Sequence, residues 1–195
     1  MPPPSGPDDG FAAVVLAGGS AVRLGGADKA SVEYAGRTLL AHALDAVAEA
    51  DEVVVVGDAV PTDRPVTFTR ESPARGGPVA GLLAGRDALA RPAASLVVLA
   101  VDMPRVGPGT VRRLRAAAAG HDGAFLVGPD GRRQLAAVLA TAALDAARPE
   151  PGAEHGLALH RLVAGLDLAE VPAEGAEARD VDTWSDLRDL GRADP

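Results

Sequence analysis

Residues 16–31, Leu-Ala-Gly-Gly-Ser-Ala-Val-Arg-Leu-Gly-Gly-Ala-Asp-Lys-Ala-Ser, place four glycines, one arginine and one lysine within sixteen positions. Glycine loses more conformational freedom on folding than any other residue, so such a cluster needs a reason. Backbone N–H groups without flanking side chains approach an anion closely, and Arg23 and Lys29 add positive charge. Phosphate binding is therefore chemistry that these residue types can do at this spacing. The competing reading is a glycine-rich turn carrying two solvated cations. The stretch is not a Walker A loop, which needs Gly-Lys-Ser/Thr in succession, and no Gly-x-Gly-x-x-Gly dinucleotide fingerprint fits it. Lys29 is the only lysine, all eighteen other basic side chains being arginine. A compact ammonium point charge differs from a planar guanidinium fork, so this one exception is informative.

Two carboxylate positions complete the candidate chemistry. Asp102 ends the apolar run Val-Val-Leu-Ala-Val-Asp-Met-Pro, residues 97–104, where a carboxylate is poorly solvated unless it meets a cation or caps the chain. In Arg-Asp-Val-Asp-Thr-Trp-Ser-Asp-Leu, residues 179–187, Asp180 and Asp182 alternate with Val181 and so share one face of an extended segment. Magnesium bound to a nucleotide takes one or two carboxylates together with phosphate oxygens and water. For Asp182 the competing reading is an N-cap carboxylate before the last helix.

The elements that position these residues follow from periodicity. Apolar runs at 11–17, 53–56, 66–69, 95–101 and 123–127 read as strands, most of them buried. Helical spacing appears at 38–50, with Thr38 as N-cap, and at 78–90, 108–119 and 157–166. Residues 134–139 read as a strand or the start of a helix, after a Gly128–Gly131 turn. The tail after 177 reads as a short strand, a turn capped by Thr183 and a final helix. The alternation predicts an α/β fold: a Rossmann-like, mostly parallel sheet with right-handed crossovers and helices on both faces. Ligands of such sheets bind beyond the carboxyl ends of the strands, where the glycine-rich stretch and Asp102 fall. Residues 11–192 are expected to form a single domain behind a disordered tail at 1–10.

Composition narrows the function classes. The net charge of −8 argues against nucleic acid or an anionic membrane as partner. No apolar run approaches the ~20 residues that cross a bilayer, and the first ten residues lack the pattern of a secretion signal. A cytoplasmic location is the expectation. With no cysteine there is no disulfide, thiolate metal site or cysteine nucleophile. His42 reads as a helix residue, and His121, His155 and His160 as loop or surface positions without a catalytic role.

Leu-Ala-Gly-Gly-Ser-Ala-Val-Arg-Leu-Gly-Gly-Ala-Asp-Lys resembles the signature of the small nucleotidyltransferases whose best-known members are the molybdenum cofactor guanylyltransferases. Residues 76–85, Gly-Gly-Pro-Val-Ala-Gly-Leu-Leu-Ala-Gly, the Val-Asp-Met-Pro at 101–104 and residues 180–187 follow in that family's order. The resemblance spans about residues 11–190 and implies a fold like that of the nucleotide-diphospho-sugar transferases. It implies transfer of GMP from Mg²⁺-bound GTP to the terminal phosphate of molybdopterin-bound molybdenum, with release of pyrophosphate. Molybdoenzymes or molybdopterin-synthesis proteins are the partners it implies. By the family pattern, Leu16, Ala17 and Gly18 line the guanine and ribose pocket, while Gly19, Arg23 and Lys29 face the triphosphate. Gly77 to Gly81, with Pro78, flank the base, Asp102 holds Mg²⁺, and Asp182 stands where the family often has Asn. Glu71 stands where the family usually has an Asp near the nucleotide. Related cytidylyltransferases carry Leu-Ala-Ala-Gly at the position of Leu16–Gly19 and lack the Pro78 loop, which favours guanine. The acceptor pocket belongs to the segment after 128, where Arg132 and Arg133 beside Gly131 are candidate cations or a solvated turn. Cytidylyl transfer, a sugar-phosphate or phospholactate acceptor, and a non-catalytic nucleotide-binding role stay open.

Overall fold

The computed structural model describes residues 10–18 and 28–192, so the expected tail lies outside the described residues except for Gly10. Its strands are β1 (Phe11–Leu16), β2 (Glu33–Tyr34), β3 (Arg37–Thr38), β4 (Glu52–Val56), β5 (Thr67–Thr69), β6 (Ser95–Ala100), β7 (Gly123–Val127), β8 (Arg133–Ala140) and β9 (Leu168–Pro172). Its α-helices are α1 (Leu39–Ala46), α2 (Gly77–Asp87), α3 (Pro108–Ala117), α4 (Thr141–Ala146), α5 (Leu159–Leu162) and α6 (Trp184–Arg192), with one 3₁₀ turn at Lys29–Ser31.

Among the described residues, seven strands form one sheet in the order β5-β4-β1-β6-β8-β7-β9. β1 lies near its centre, parallel to β4 on one side and to β6 on the other, with Val14 level with both Val54 and Val98. Of these seven strands only β8 runs against the rest, antiparallel to β6 and β7. A tight turn forces that reversal: Gly128 N–H bonds to Arg132 C=O at 2.9 Å and Gly131 takes a left-handed φ of 76°. The expected mostly parallel α/β sheet is what forms.

All six residues of β1 are buried because both of its faces are covered. Phe11, Ala13 and Val15 join a core with Leu39, Leu40 and Leu44 of α1, Val111 and Leu114 of α3 and Leu190 of α6. Ala12, Val14 and Leu16 face the opposite layer, with Val79, Leu82 and Leu83 of α2, Leu144 of α4 and Leu162 of α5. Thr38 caps α1 as expected, its hydroxyl accepting the Ala41 N–H at 3.1 Å.

α2 lies unusually close to the sheet. A Cβ on Gly85 would stand 2.5 Å from Val14 Cγ1, and one on Gly81 would stand 3.3 Å from Leu16 Cδ2. Gly81 therefore sits over the end of β1 and Gly85 over its middle. The helix runs antiparallel to β1, with its N-terminus at the carboxyl edge of the sheet.

Several elements differ from the expectation. Residues 134–139 are strand, within β8, and the helix expected at 157–166 is the single turn α5. The strand expected after residue 177 is absent among the described residues; that segment is irregular and is held through Val181, which is fully buried. The β2–β3 hairpin, α4 and β9 have no counterpart in the sequence reading. β9, Leu-Ala-Glu-Val-Pro, is an edge strand that tolerates both an exposed Glu170 and Pro172.

Gly85→Ala tests the close approach. In an ordinary exposed helix this change stabilises, by about 0.5–1 kcal/mol. Here the new methyl meets a rigid β-branched side chain, and urea unfolding should show a loss of about 1–3 kcal/mol. Gly81→Ala should lose less.

Candidate functional site

Three chain segments that are remote in sequence converge at the carboxyl edge of β1 and β6. β1 ends at Leu16, whose C=O accepts the Val101 N–H at 3.0 Å, so the chain leaving β6 is tied to the chain leaving β1. The next residues lean the other way: the N–H groups of Ala17 and Gly18 both bond to Val56 C=O at 2.9 Å. These two donors are thus committed to β4. Gly57 makes room for them, because a Cβ there would lie 3.1 Å from Ala17 Cβ. Gly19 and Arg23 lie outside the described residues.

The chain is described again from Asp28, whose carboxylate accepts the Ala30 N–H at 3.2 Å and the Ser31 hydroxyl at 3.1 Å. This local cap starts the 3₁₀ turn and projects Lys29 across the sheet edge. Lys29 Nζ donates to Asp102 Oδ2 at 2.9 Å and to Asp182 Oδ1 at 2.7 Å. Its side chain is only 12% exposed. Burial alone would favour the neutral amine. Hydrogen bonding to Asp182 and the attraction of Asp102 outweigh that and hold the pKa above its ordinary value, so Lys29 is a fixed ammonium. The backbone repeats the link, with Val181 N–H bonded to Asp102 C=O at 2.9 Å. Asp180 stands two residues before Asp182. Burial, and then the neighbouring Asp182 and Asp102, push its carboxyl above the usual range.

Asp182 is free to reach Lys29 because it is not the cap of α6. Thr183 fills that place: its hydroxyl accepts the Asp186 N–H at 3.2 Å, while the Asp186 carboxylate accepts the N–H groups of Thr183 and Asp182 at 2.7 and 3.1 Å. This reciprocal box fixes the backbone of residue 182 and leaves its side chain pointing at the lysine. A second support lies a few residues earlier. Glu177 receives both arms of Arg113 at 3.1 and 2.6 Å, the Thr110 hydroxyl, and the Glu174 N–H at 2.8 Å. The segment leading into Asp180–Asp182 is thereby tied to α3. Neither Glu177 nor Asp186 stands out in the sequence without knowledge of its partner.

The remaining predicted residues stand around this cluster. Leu16 and Ala17 are buried at the end of β1. Gly77 and Pro78 open α2; Gly77 has a φ of 86° and Gly76 offers no side-chain cap. The Glu71 carboxylate accepts the Arg75 N–H at 2.9 Å and shapes the turn into α2. His155, expected as a loop or surface position, and its neighbour Gly156 pack on that turn. Gly156 N–H bonds to Gly76 C=O at 2.8 Å, and a Cβ on Gly76 would stand 3.0 Å from His155 Nδ1. Arg133 pairs with Glu170 at 3.1 Å and lies over the Phe125 ring, whereas Arg132 is largely exposed. His42 bonds to Tyr34 C=O and His121 to Asp167, both at 2.9 Å. Among the described residues no set of three or more His, Cys, Asp or Glu is arranged to enclose a metal by itself.

A family model described as the MobA-like NTP transferase domain matches residues 13–169. A molybdenum cofactor guanylyltransferase of Bradyrhizobium sp. (strain ORS 278) is 40% identical over 98 residues, which are 44% of this chain and 43% of that protein. One of Rhodopseudomonas palustris (strain HaA2) is 43% identical over 90 residues, 42% of each chain. The matched part thus spans less than half the length of these curated relatives. Among solved structures, molybdopterin-guanine dinucleotide biosynthesis protein A from Archaeoglobus fulgidus superposes with a TM-score of 0.70 at 23% identity, covering 93% of this chain and 96% of that one. The 2-C-methyl-D-erythritol 4-phosphate cytidylyltransferase from Thermus thermophilus gives 0.69 at 24% identity, covering 92% and 98%. Both show the shared nucleotidyltransferase fold.

The two supports predict an acid-dependent stability. Burial disfavours charged Glu177, but the Arg113 and Thr110 bonds outweigh it and hold its carboxyl below the usual range; the Thr183 bonds do the same for Asp186. A lowered carboxyl contributes stability that is present above its unfolded pKa, about 4.3 for Glu, and lost as pH falls through the folded value. Glu177→Gln should cost about 1.5–3 kcal/mol at neutral pH and flatten the acid limb of a melting-temperature profile. Thr183→Ala should cost about 1 kcal/mol.

Proposed function

Because the chain belongs to the MobA-like NTP transferase family, we propose that it transfers GMP from magnesium-bound GTP to the terminal phosphate of molybdopterin-bound molybdenum, releasing pyrophosphate. The observation that carries this reading is the Lys29 ammonium gripped by Asp102 and Asp182 at the carboxyl edge of β1 and β6. A cation already fits the gap between these carboxylates, and two carboxylates completed by phosphate oxygens and water suit Mg²⁺. Asp102 and Asp182 would hold the ion, which when bound supplies charge neutralisation on the triphosphate. The single domain of residues 11–192 and a cytoplasmic site of action belong to this reading. No helix among the described residues is long and apolar enough to cross a membrane.

Phosphoryl-type transfer asks the protein mainly for positioning and electrostatics. An oxygen of the acceptor's terminal phosphate attacks the α-phosphorus of GTP, and the bond to the bridging oxygen of pyrophosphate breaks. The attacking group is already anionic, so no strong general base is needed, in keeping with the placement of His42 and His121 in structural bonds. Lys29 and Arg23 stabilise the charge that gathers on the departing pyrophosphate. Leu16, Ala17 and Gly18 line one wall of the nucleoside pocket. The first turn of α2, with Gly77 and Pro78, offers backbone groups to the guanine edge across from them. Gly19 joins the phosphate side, and Glu71 shapes the entry to α2.

The test is product mass and pyrophosphate release with GTP and molybdopterin-bound molybdenum, against CTP and against GTP alone. Asp102→Asn should keep the fold and lower turnover by roughly 10²-fold or more. Full turnover at the same Mg²⁺ would remove Asp102 from the mechanism. With Mg²⁺, GTP should raise the melting temperature well above the shift given by equal CTP, because cytosine leaves guanine's partners unpaired at about 1–3 kcal/mol each. Equal shifts would overturn the guanine assignment, and GTP binding without pyrophosphate release would favour the accessory role.

A further inference from the structure

Resting on the metal site of that reading, we infer that Lys29 is a built-in stand-in for the divalent cation, so that metal and lysine exchange places when nucleotide arrives. Two carboxylates, Asp102 and Asp182, close on one ammonium at 2.9 and 2.7 Å, the lengths of charge-assisted hydrogen bonds. A divalent ion held by the same two oxygens would compete with the ammonium for them, and two positive centres do not share one gap. Occupation by the metal therefore releases Lys29.

The released side chain stays close. Its backbone is pinned by the Asp28 cap on Ala30 and Ser31, so only the four-carbon stem moves. Its next partner must be another anion within reach of that stem, and a nucleotide phosphate supplies one. Metal alone meets a site whose charge is already partly neutralised, and entry breaks two ion pairs with nothing gained for the lysine. Metal arriving with GTP breaks the same pairs while Lys29 gains phosphate. Lys29 thus couples divalent-ion binding to nucleotide binding, and until the metal arrives it keeps the carboxylates paired.

The coupling is measured without turnover. Free Mn²⁺, followed by its paramagnetic resonance signal, should bind wild-type protein weakly alone and more tightly with GTP. Lys29→Gln should bind Mn²⁺ without nucleotide roughly tenfold tighter than wild type, the scale of an ordinary coupling between sites, and the gain from adding GTP should shrink. Equal or weaker Mn²⁺ binding by Lys29→Gln, with wild type still binding Mn²⁺ in the presence of GTP, would overturn the exchange alone. Wild type that binds no Mn²⁺ even with GTP would overturn the metal site itself. A second measurement needs no variant. As the only lysine in the chain, Lys29 gives one ε-methylene resonance in protein labelled with ¹³C-lysine. Saturating Mg²⁺ without nucleotide should move that resonance toward the position of a solvated lysine, and GTP should move it again. A resonance that stays fixed on Mg²⁺ saturation would overturn the exchange.

Discussion

A buried positive charge between two carboxylates constrains this molecule more than any other feature. Lys29 is separated from Asp102 by 73 residues and from Asp182 by 153, and no local preference brings such groups into hydrogen-bond contact. The sheet does. β1 and β6 lie side by side, β6 delivers Asp102, and the Leu16–Val101 bond fixes the relative height of their ends. The third group needs a long excursion through β7, β8 and β9 before Val181 docks onto Asp102. The lysine is the least exposed of the three, and the approach of Asp182 to it is braced twice, by Glu177 behind and by the Thr183–Asp186 box ahead.

The other wall of the site is steric. Gly81 and Gly85 let α2 settle on β1 and β4 more closely than a helix with side chains on that face could. This close seating carries the first turn of α2, at Gly77 and Pro78, to the same edge that holds the charged cluster. Gly76 and Gly77, the latter with a φ of 86°, carry no side chain at that turn, while residues 155 and 156 buttress it from outside. One part of this edge is thus made of charges held by ion pairs, and another of backbone held by packing.

Much of this arrangement is legible in sequence, for reasons that differ from residue to residue. β1, β4 and β6 are apolar runs because both of their faces are covered, and such runs announce buried strands without any partner being known. Thr38 and Thr183 are visible as caps because capping is local. Asp102 is visible because it ends an apolar run. The choice at Asp182 between cap and partner of a cation goes against the cap because Thr183 takes that place and Asp186, one helical turn later, holds the N–H groups of residues 182 and 183. Glu177 is hidden because its value lies wholly in Arg113 and Thr110, more than sixty residues away. β9 and the segment around Val181 differ from expectation because an edge strand and a single anchored residue need no periodic pattern. Glu71, singled out by its place in a motif, is committed to the backbone of Arg75. Gly19 and Arg23 fall outside the described residues, so their predicted phosphate contacts rest on motif and chemistry.

The lone lysine gains its meaning from how the arginines are used. Arg113 spreads two nitrogens over the two oxygens of Glu177, and Arg64 spreads two over the carbonyls of Val47 and Ala50 at the end of α1. In each case the planar fork matches acceptors lying side by side. Asp102 and Asp182 present the opposite problem: one oxygen from each of two separate segments converges on a single point. A guanidinium would set distinct nitrogens against them and push the segments apart, whereas one ammonium nitrogen donates to both. Lysine at 29 and carboxylates at 102 and 182 are therefore one design requirement, expressed at three distant places in a chain that otherwise writes every basic residue as arginine.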